Sequence, residues 1–139
     1  LKTAIPIFVA ALTLSALPVR AEDTDAVTKA QTAAKTWLAL TDAGKYDRSW
    51  DSATSLFKSS ITKSDWEKII RSVRSPLGAL KSRTVKSATF TRTLPGAPDG
   101  EYVVIQFDTK FANKASAVET VTPMHEKDGS WRVAGYYIK

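Results

Sequence analysis

Few side chains in this sequence are equipped for chemistry. His125 is its single imidazole and it has no cysteine, which excludes imidazole clusters, thiolate metal sites, a cysteine nucleophile and disulfides. Glu119, Glu126 and Asp128 lie near His125 in the chain, but their spacing matches no ligand set, so no metal site is expected and His125 reads as a surface or strand-end residue. A serine–histidine–acid triad needs a serine held on a strained turn, and no Gly-x-Ser-x-Gly occurs. The remaining catalytic candidate is Asp42, beside Trp37 and Trp50 at the end of a predicted helix. An apolar pocket there would raise its pKa towards neutrality, and Tyr136 or Tyr137 could stand opposite as donor. The competing reading is an aspartate that bonds a turn amide near Gly44 and Tyr46.

Positive charge is the more usable signal. The chain carries a formal net charge of +6 and a pI near 9.6. Residues 58–92 hold nine basic side chains against Asp65 and Glu67. Lys68, Arg71 and Arg74 fall on the side of a predicted helix away from Trp66, Ile69, Ile70 and Val73. Arg83 and Lys86 follow on the next strand and extend the stripe if that strand lies nearby. These five residues form a candidate anion-binding patch for lipid phosphates, lipopolysaccharide or anionic polymers. The alternative is an ordinary solvated face with a Glu67–Arg71 pair four residues apart. The four tryptophans, Trp37, Trp50, Trp66 and Trp131, suit core packing better than an exposed stacking platform.

The elements that must position these residues follow from periodicity. Residues 24–43 place Val27, Ala30, Ala34, Trp37, Leu38 and Thr41 on one helical face, with Thr24 as cap and Gly44 as terminator. A second helix follows Tyr46, capped by Asp47 and carrying Trp50, Ala53 and Phe57. A third opens on Ser64-Asp65-Trp66-Glu67, a capping box, and closes at Pro76 and Gly78. The period then changes to two. Residues 81–94, 101–111, 117–126 and 131–138 read as strands, with Val103, Ile105 and Phe107 inward and Tyr102, Gln106 and Asp108 outward. The turn chemistry of residues 95–100 and of Asp128-Gly129 separates them. A four-stranded meander needs one face covered, and only the helices can cover it. The expected fold is therefore α+β, with three N-terminal helices packed on a curved four-stranded antiparallel sheet.

The first 21 residues differ from the rest. Lys2 precedes an apolar run over residues 4–17, and Val19 and Ala21 supply small residues for a signal peptidase. The run is short of the roughly 20 residues needed to span a bilayer. Residues 1–21 are thus expected to be a secretory signal and residues 22–139 a single domain, periplasmic or secreted. Of the 20 basic residues, Lys2 and Arg20 would be lost with the leader, leaving 18 against 14 acidic, a net +4. Export disfavours a nucleic-acid partner despite the basic charge.

The sequence resembles the exported bacterial proteins catalogued as domain of unknown function 4019. The resemblance lies in Trp37-Leu38, Asp42, Gly44, Tyr46, Ser49-Trp50, Arg74, Pro76-Leu77-Gly78 and Arg83. It continues in residues 94–102, Glu119-Thr120, Asp128-Gly129 and Gly135-Tyr136-Tyr137. It implies an envelope location and a cystatin-like or nuclear-transport-factor-two-like cone, but no reaction and no catalytic residues. Arg74 and Arg83 fall on family positions and can equally be structural arginines at the helix-to-strand turn. The expected role is a non-enzymatic binding or interaction module without a cofactor. Its partner would be a protein, a small molecule or an anionic envelope ligand. The alternative is a small pocket enzyme using a lone carboxylate as general acid/base.

Overall fold

The computed structural model describes residues 3–5 and 21–139. Helix α1 spans Ala21–Asp42, and three shorter helices follow: α2 (Tyr46–Asp51), α3 (Ser55–Ser60) and α4 (Lys63–Arg74). A 3-10 turn, Ser75–Leu77, leads into strands β2 (Leu80–Thr91), β3 (Tyr102–Phe111), β4 (Lys114–His125) and β5 (Trp131–Ile138). These four form an antiparallel meander. A three-residue strand, β1 (Thr3–Ile5), adds antiparallel to β5, so the sheet order is β1-β5-β4-β3-β2. The rest of the segment read as a leader, residues 1–2 and 6–20, lies outside the described residues; Ala21 opens α1.

The α+β class and the four-stranded meander are as expected, with two corrections. The sheet is not strongly curled, so the cone has no support. Among the described residues there are also four helices rather than three. The expected second helix breaks at Ser52-Ala53-Thr54, where the Thr54 amide bonds the Val133 carbonyl of β5 at 2.9 Å. The Thr54 hydroxyl then caps α3 by accepting from Phe57 N at 3.0 Å. An amide used across layers cannot also continue a helix. The cap of α4 is likewise Thr62, which accepts from Asp65 N at 3.2 Å, rather than Ser64. The helix therefore starts two residues earlier than the Ser64 capping box suggested, on a Thr62-x-x-Asp65 cap.

The space between helices and sheet is filled. Ala30, Ala34, Trp37 and Leu38 of α1 pack with Phe57, Trp66, Ile70, Ile105, Phe107, Val121 and Tyr136, all buried. The Trp37 ring lies 5.8 Å from Trp66 and 5.4 Å from Tyr136, and Phe57 meets Trp66 edge-on at 4.9 Å. Aromatic pairs at such distances add to the burial of large apolar areas. Ser49 is the polar hub of this core. Its carbonyl accepts from Trp37 Nε1 at 2.8 Å, and its hydroxyl accepts from Trp66 Nε1 at 2.9 Å while donating to the Tyr46 carbonyl at 2.6 Å. Three of the four tryptophans are thus core residues as expected or half-buried against it. Trp131 is half-buried too, stacked on His125 with ring centroids 5.0 Å apart.

Tyr102 points outward, away from the helices, as the alternation of β3 predicts. It lies on the far face of the sheet but is fully buried, because the loop before β3 folds back over it and forms a second small core with Leu94, Val104, Ala97 and Met124. Its hydroxyl donates to the Pro98 carbonyl at 2.5 Å. Among the described residues, no helix is long and apolar enough to cross a membrane.

Candidate functional site

Six elements deliver charged or hydroxyl side chains to one end of the helix–sheet interface. Helix α1 stops there in a Schellman arrangement. Lys45 N bonds Leu40 O at 2.8 Å, Gly44 N bonds Thr41 O at 3.1 Å, and Gly44 takes φ +74°. This termination leaves Thr41 and Asp42 in the last turn, facing the sheet. Helix α4 brings Arg74 in its own last turn. Beyond it, the chain is stitched to the β3–β4 hairpin, where Asn113 N bonds Leu77 O at 2.8 Å and Asn113 Nδ2 bonds Pro76 O at 3.1 Å. From the sheet come Arg83 of β2, paired opposite Thr109 of β3, then Glu119 of β4 and Tyr136 of β5.

These side chains form one continuous network. Arg83 donates from Nη1 and Nη2 to the two Asp42 oxygens at 2.7 and 3.0 Å, a bidentate pair. Its Nε donates to Glu119 Oε1 at 2.8 Å. Arg74 adds Nη2 to Asp42 Oδ1 at 2.8 Å and Nη1 to Thr41 Oγ1 at 2.9 Å. Glu119 is fully buried; it also accepts from Thr109 Oγ1 at 2.7 Å and from the Tyr136 hydroxyl. Two guanidiniums therefore face two carboxylates, each held by charge-assisted hydrogen bonds, the arrangement that makes buried charge tolerable. Arg74 Nε is a buried side-chain nitrogen without a hydrogen-bond partner among the described residues, and the Arg74 guanidinium rests on the Phe111 ring at 4.8 Å. Cation–π attraction supports that placement.

The electrostatics run against acid/base work. Burial acts to raise the Asp42 carboxyl, but the hydrogen bonds and charges of Arg83 and Arg74 outweigh it and hold it below the usual carboxylate range. The raised carboxyl expected in an apolar pocket is thus not found. Nor does a tyrosine face Asp42: burial and the charge of Glu119 push the Tyr136 phenol well above its ordinary value, and its hydroxyl serves Glu119 instead. Burial acts to lower Arg83, yet Asp42 and Glu119 hold it above its usual range.

The five residues of the expected basic stripe do not come together. Arg74 and Arg83 turn inward into the network. Lys68 and Arg71 remain exposed on α4, where the Arg71 guanidinium lies 5.4 Å from the Tyr46 ring centre. Lys86 sits exposed on β2, the terminal strand. His125 ends β4, its Nε2 3.2 Å from the Gly129 carbonyl and its Nδ1 3.6 Å from Glu101. Among the described residues no group of three potential ligands could hold a metal ion.

Sequence reasoning gave Lys58, Ser59, Ser60 and Thr62 no site role. With Ile61, Asp65, Lys68 and Ile69 they line a hollow of about 410 Å³ on the outer surface between α3 and the start of α4. Trp50 stands alongside, its Nε1 bonded to the Ile61 carbonyl at 2.9 Å, with Lys58 and Lys63 5.5 and 5.9 Å from its ring centre. Lys63 is held 2.9 Å from Asp51. A cluster of Ser, Thr and Lys at a helix junction is the available sequence signal, but it is a common one.

The described residues thus form an α+β fold with an apolar core and a charge network at one end of the helix–sheet interface. The family of proteins of unknown function DUF4019 matches residues 33–136, and the chain belongs to it. No curated protein and no solved structure matches the chain.

Proposed function

We propose that this protein is a non-enzymatic interaction module of the bacterial envelope, and that it meets an anionic partner with the hollow between α3 and α4. The observation that carries this reading is the hollow itself. It offers the ammonium groups of Lys58 and Lys68 and the Thr62 hydroxyl on an accessible face, while the Ser59 and Ser60 hydroxyls donate to the Leu56 and Phe57 carbonyls at 3.0 and 2.9 Å. Ammonium and hydroxyl donors suit phosphate or carboxylate groups of an envelope polymer. The filled core supports the non-enzymatic half of the reading, since its acids are committed to arginines. The envelope location rests on the leader-like pattern of residues 1–21.

The test is an NMR titration of the chain with polyphosphate and with polyglutamate at low and physiological salt. Shifts should concentrate at residues 58–69 and fade with salt, because exposed charges are screened within roughly 10 Å at 0.1 M. Lys58→Ala with Lys68→Ala should weaken binding at least about fivefold without lowering the melting temperature, as surface changes of this kind are near neutral for stability. Shifts elsewhere, or binding untouched by the double substitution, would reject the hollow as the contact surface.

A further inference from the structure

Among the described residues, strand β2 ends the sheet on the side away from β1. Its 12 residues are largely exposed or half-buried and include no acid. Val85, at its middle, is an exposed large apolar side chain, 39% accessible. An outermost strand of this length offers unpaired backbone groups to any strand that approaches, above all to a second copy of itself.

Two register shifts interrupt β2. Leu80 pairs with Phe111 and Ser82 with Lys110, leaving Lys81 as the extra residue; Val85 pairs with Phe107 and Ser87 with Gln106, leaving Lys86 as the extra residue. Both bulged positions are lysines, and both are exposed. A bulge breaks the flat ladder that a neighbouring strand must match, and a lysine on an outer strand adds a charge that a copy cannot neutralise. The register of self-pairing sharpens this. An antiparallel pair of β2 strands centred between Arg83 and Thr84 would set Lys81 of each copy against Lys86 of the other, and like charges directly opposite are unfavourable. On the adjoining β3, exposed Asp108 and Lys110 stand opposite Thr84 and Ser82 and carry opposite charges. Their charges offset each other beside the lysines of β2.

We infer that Lys81 and Lys86 guard the β2 edge against pairing with a second copy of this chain, each by combining an extra residue with a positive charge. The guard leaves the fold intact, because the bulges also set the phase of the strand. Leu80 and Arg83 reach the same face only because Lys81 is extra, and Val85 and Ala88 only because Lys86 is extra.

The register provides a specific test. Deleting both lysines leaves Leu80, Ser82, Val85 and Ser87 opposite their present partners with a continuous ladder. The full chain should sediment as a species that does not associate through β2. The double deletion should self-associate at least about tenfold more tightly, with new hydrogen-exchange protection confined to amides of residues 80–91. Lys81→Thr with Lys86→Thr keeps the bulges, removes the charges and should associate about threefold more tightly than the parent chain. If the deletion chain does not fold, this second variant decides alone. A parent chain already protected along β2 by self-association would overturn the inference. So would a folded deletion variant that associates no more than the parent, or a threonine variant equally indifferent.

Discussion

Arg83 is the residue on which the buried charges depend. Among the described residues it alone bonds both carboxylates, with Asp42 on a helix and Glu119 on a strand. Removing it leaves the half-buried Asp42 with Arg74 as its remaining cation and the fully buried Glu119 with none among the described residues. Arg83→Met should therefore cost about 3–5 kcal/mol, the usual loss on breaking a buried pair from one side, read by urea unfolding. Tyr136 gives a complementary pH test. Its phenol ionises near 10 in an unfolded chain and well above that here. Above about pH 10 the unfolded chain sheds a proton that the folded chain keeps, so stability falls as pH rises. Tyr136→Phe should cost about 1–3 kcal/mol at neutral pH through the bond lost to Glu119, yet flatten the alkaline decline. Tyr102, raised by burial and by Asp99, should retain part of that decline in the variant. The sequence marks Asp42, Arg74, Arg83, Glu119 and Tyr136 one by one as family positions. Nothing in their spacing joins them: Arg83 lies 41 residues from Asp42 and 36 from Glu119.

Element boundaries were legible where one periodicity decided them, as in β5, whose bounds match the expected strand. They were lost where a single hydrogen bond to another layer decided, as at Thr54. The parity of β2 was hidden for a similar reason, because two extra residues shift the alternation that a period-two reading assumes. Glycines supply the test at this scale. Gly44 has φ +74° with open space around its missing side chain, whereas Gly78 has φ +75°, ψ −164°. A Cβ on Gly78 would also lie 3.0 Å from Asn113 Nδ2 and 3.2 Å from the Ala112 Cβ. Gly44→Ala should cost about 1 kcal/mol, the left-handed penalty alone. Gly78→Ala should cost about 3 kcal/mol, since its region belongs almost solely to glycine and the stitched hairpin must also give way. Thermal unfolding of the two variants side by side checks the order.

At the scale of the molecule, composition and element order were enough for the class, a helix layer on an antiparallel meander. They could not show whether the space between the layers stays open. That depended on Trp37, Phe57, Trp66 and Tyr136 meeting across elements, and on Ser49 satisfying two indoles at once. The expected basic stripe failed for the same reason, since the pull of Asp42 and Glu119 on two of its arginines acts only after folding. The network has a consequence for the lifetime of the native state. The meander is built from neighbours in sequence, and such contacts close early, whereas the bonds from residue 42 to residues 74 and 83 must wait for the helices and the sheet to dock. Interactions made after the folding barrier leave the folding rate nearly unchanged and slow escape from the native state. In a chain without disulfides, this cluster acts as a brake on unfolding, lengthening the time each molecule remains folded more than it hastens its assembly.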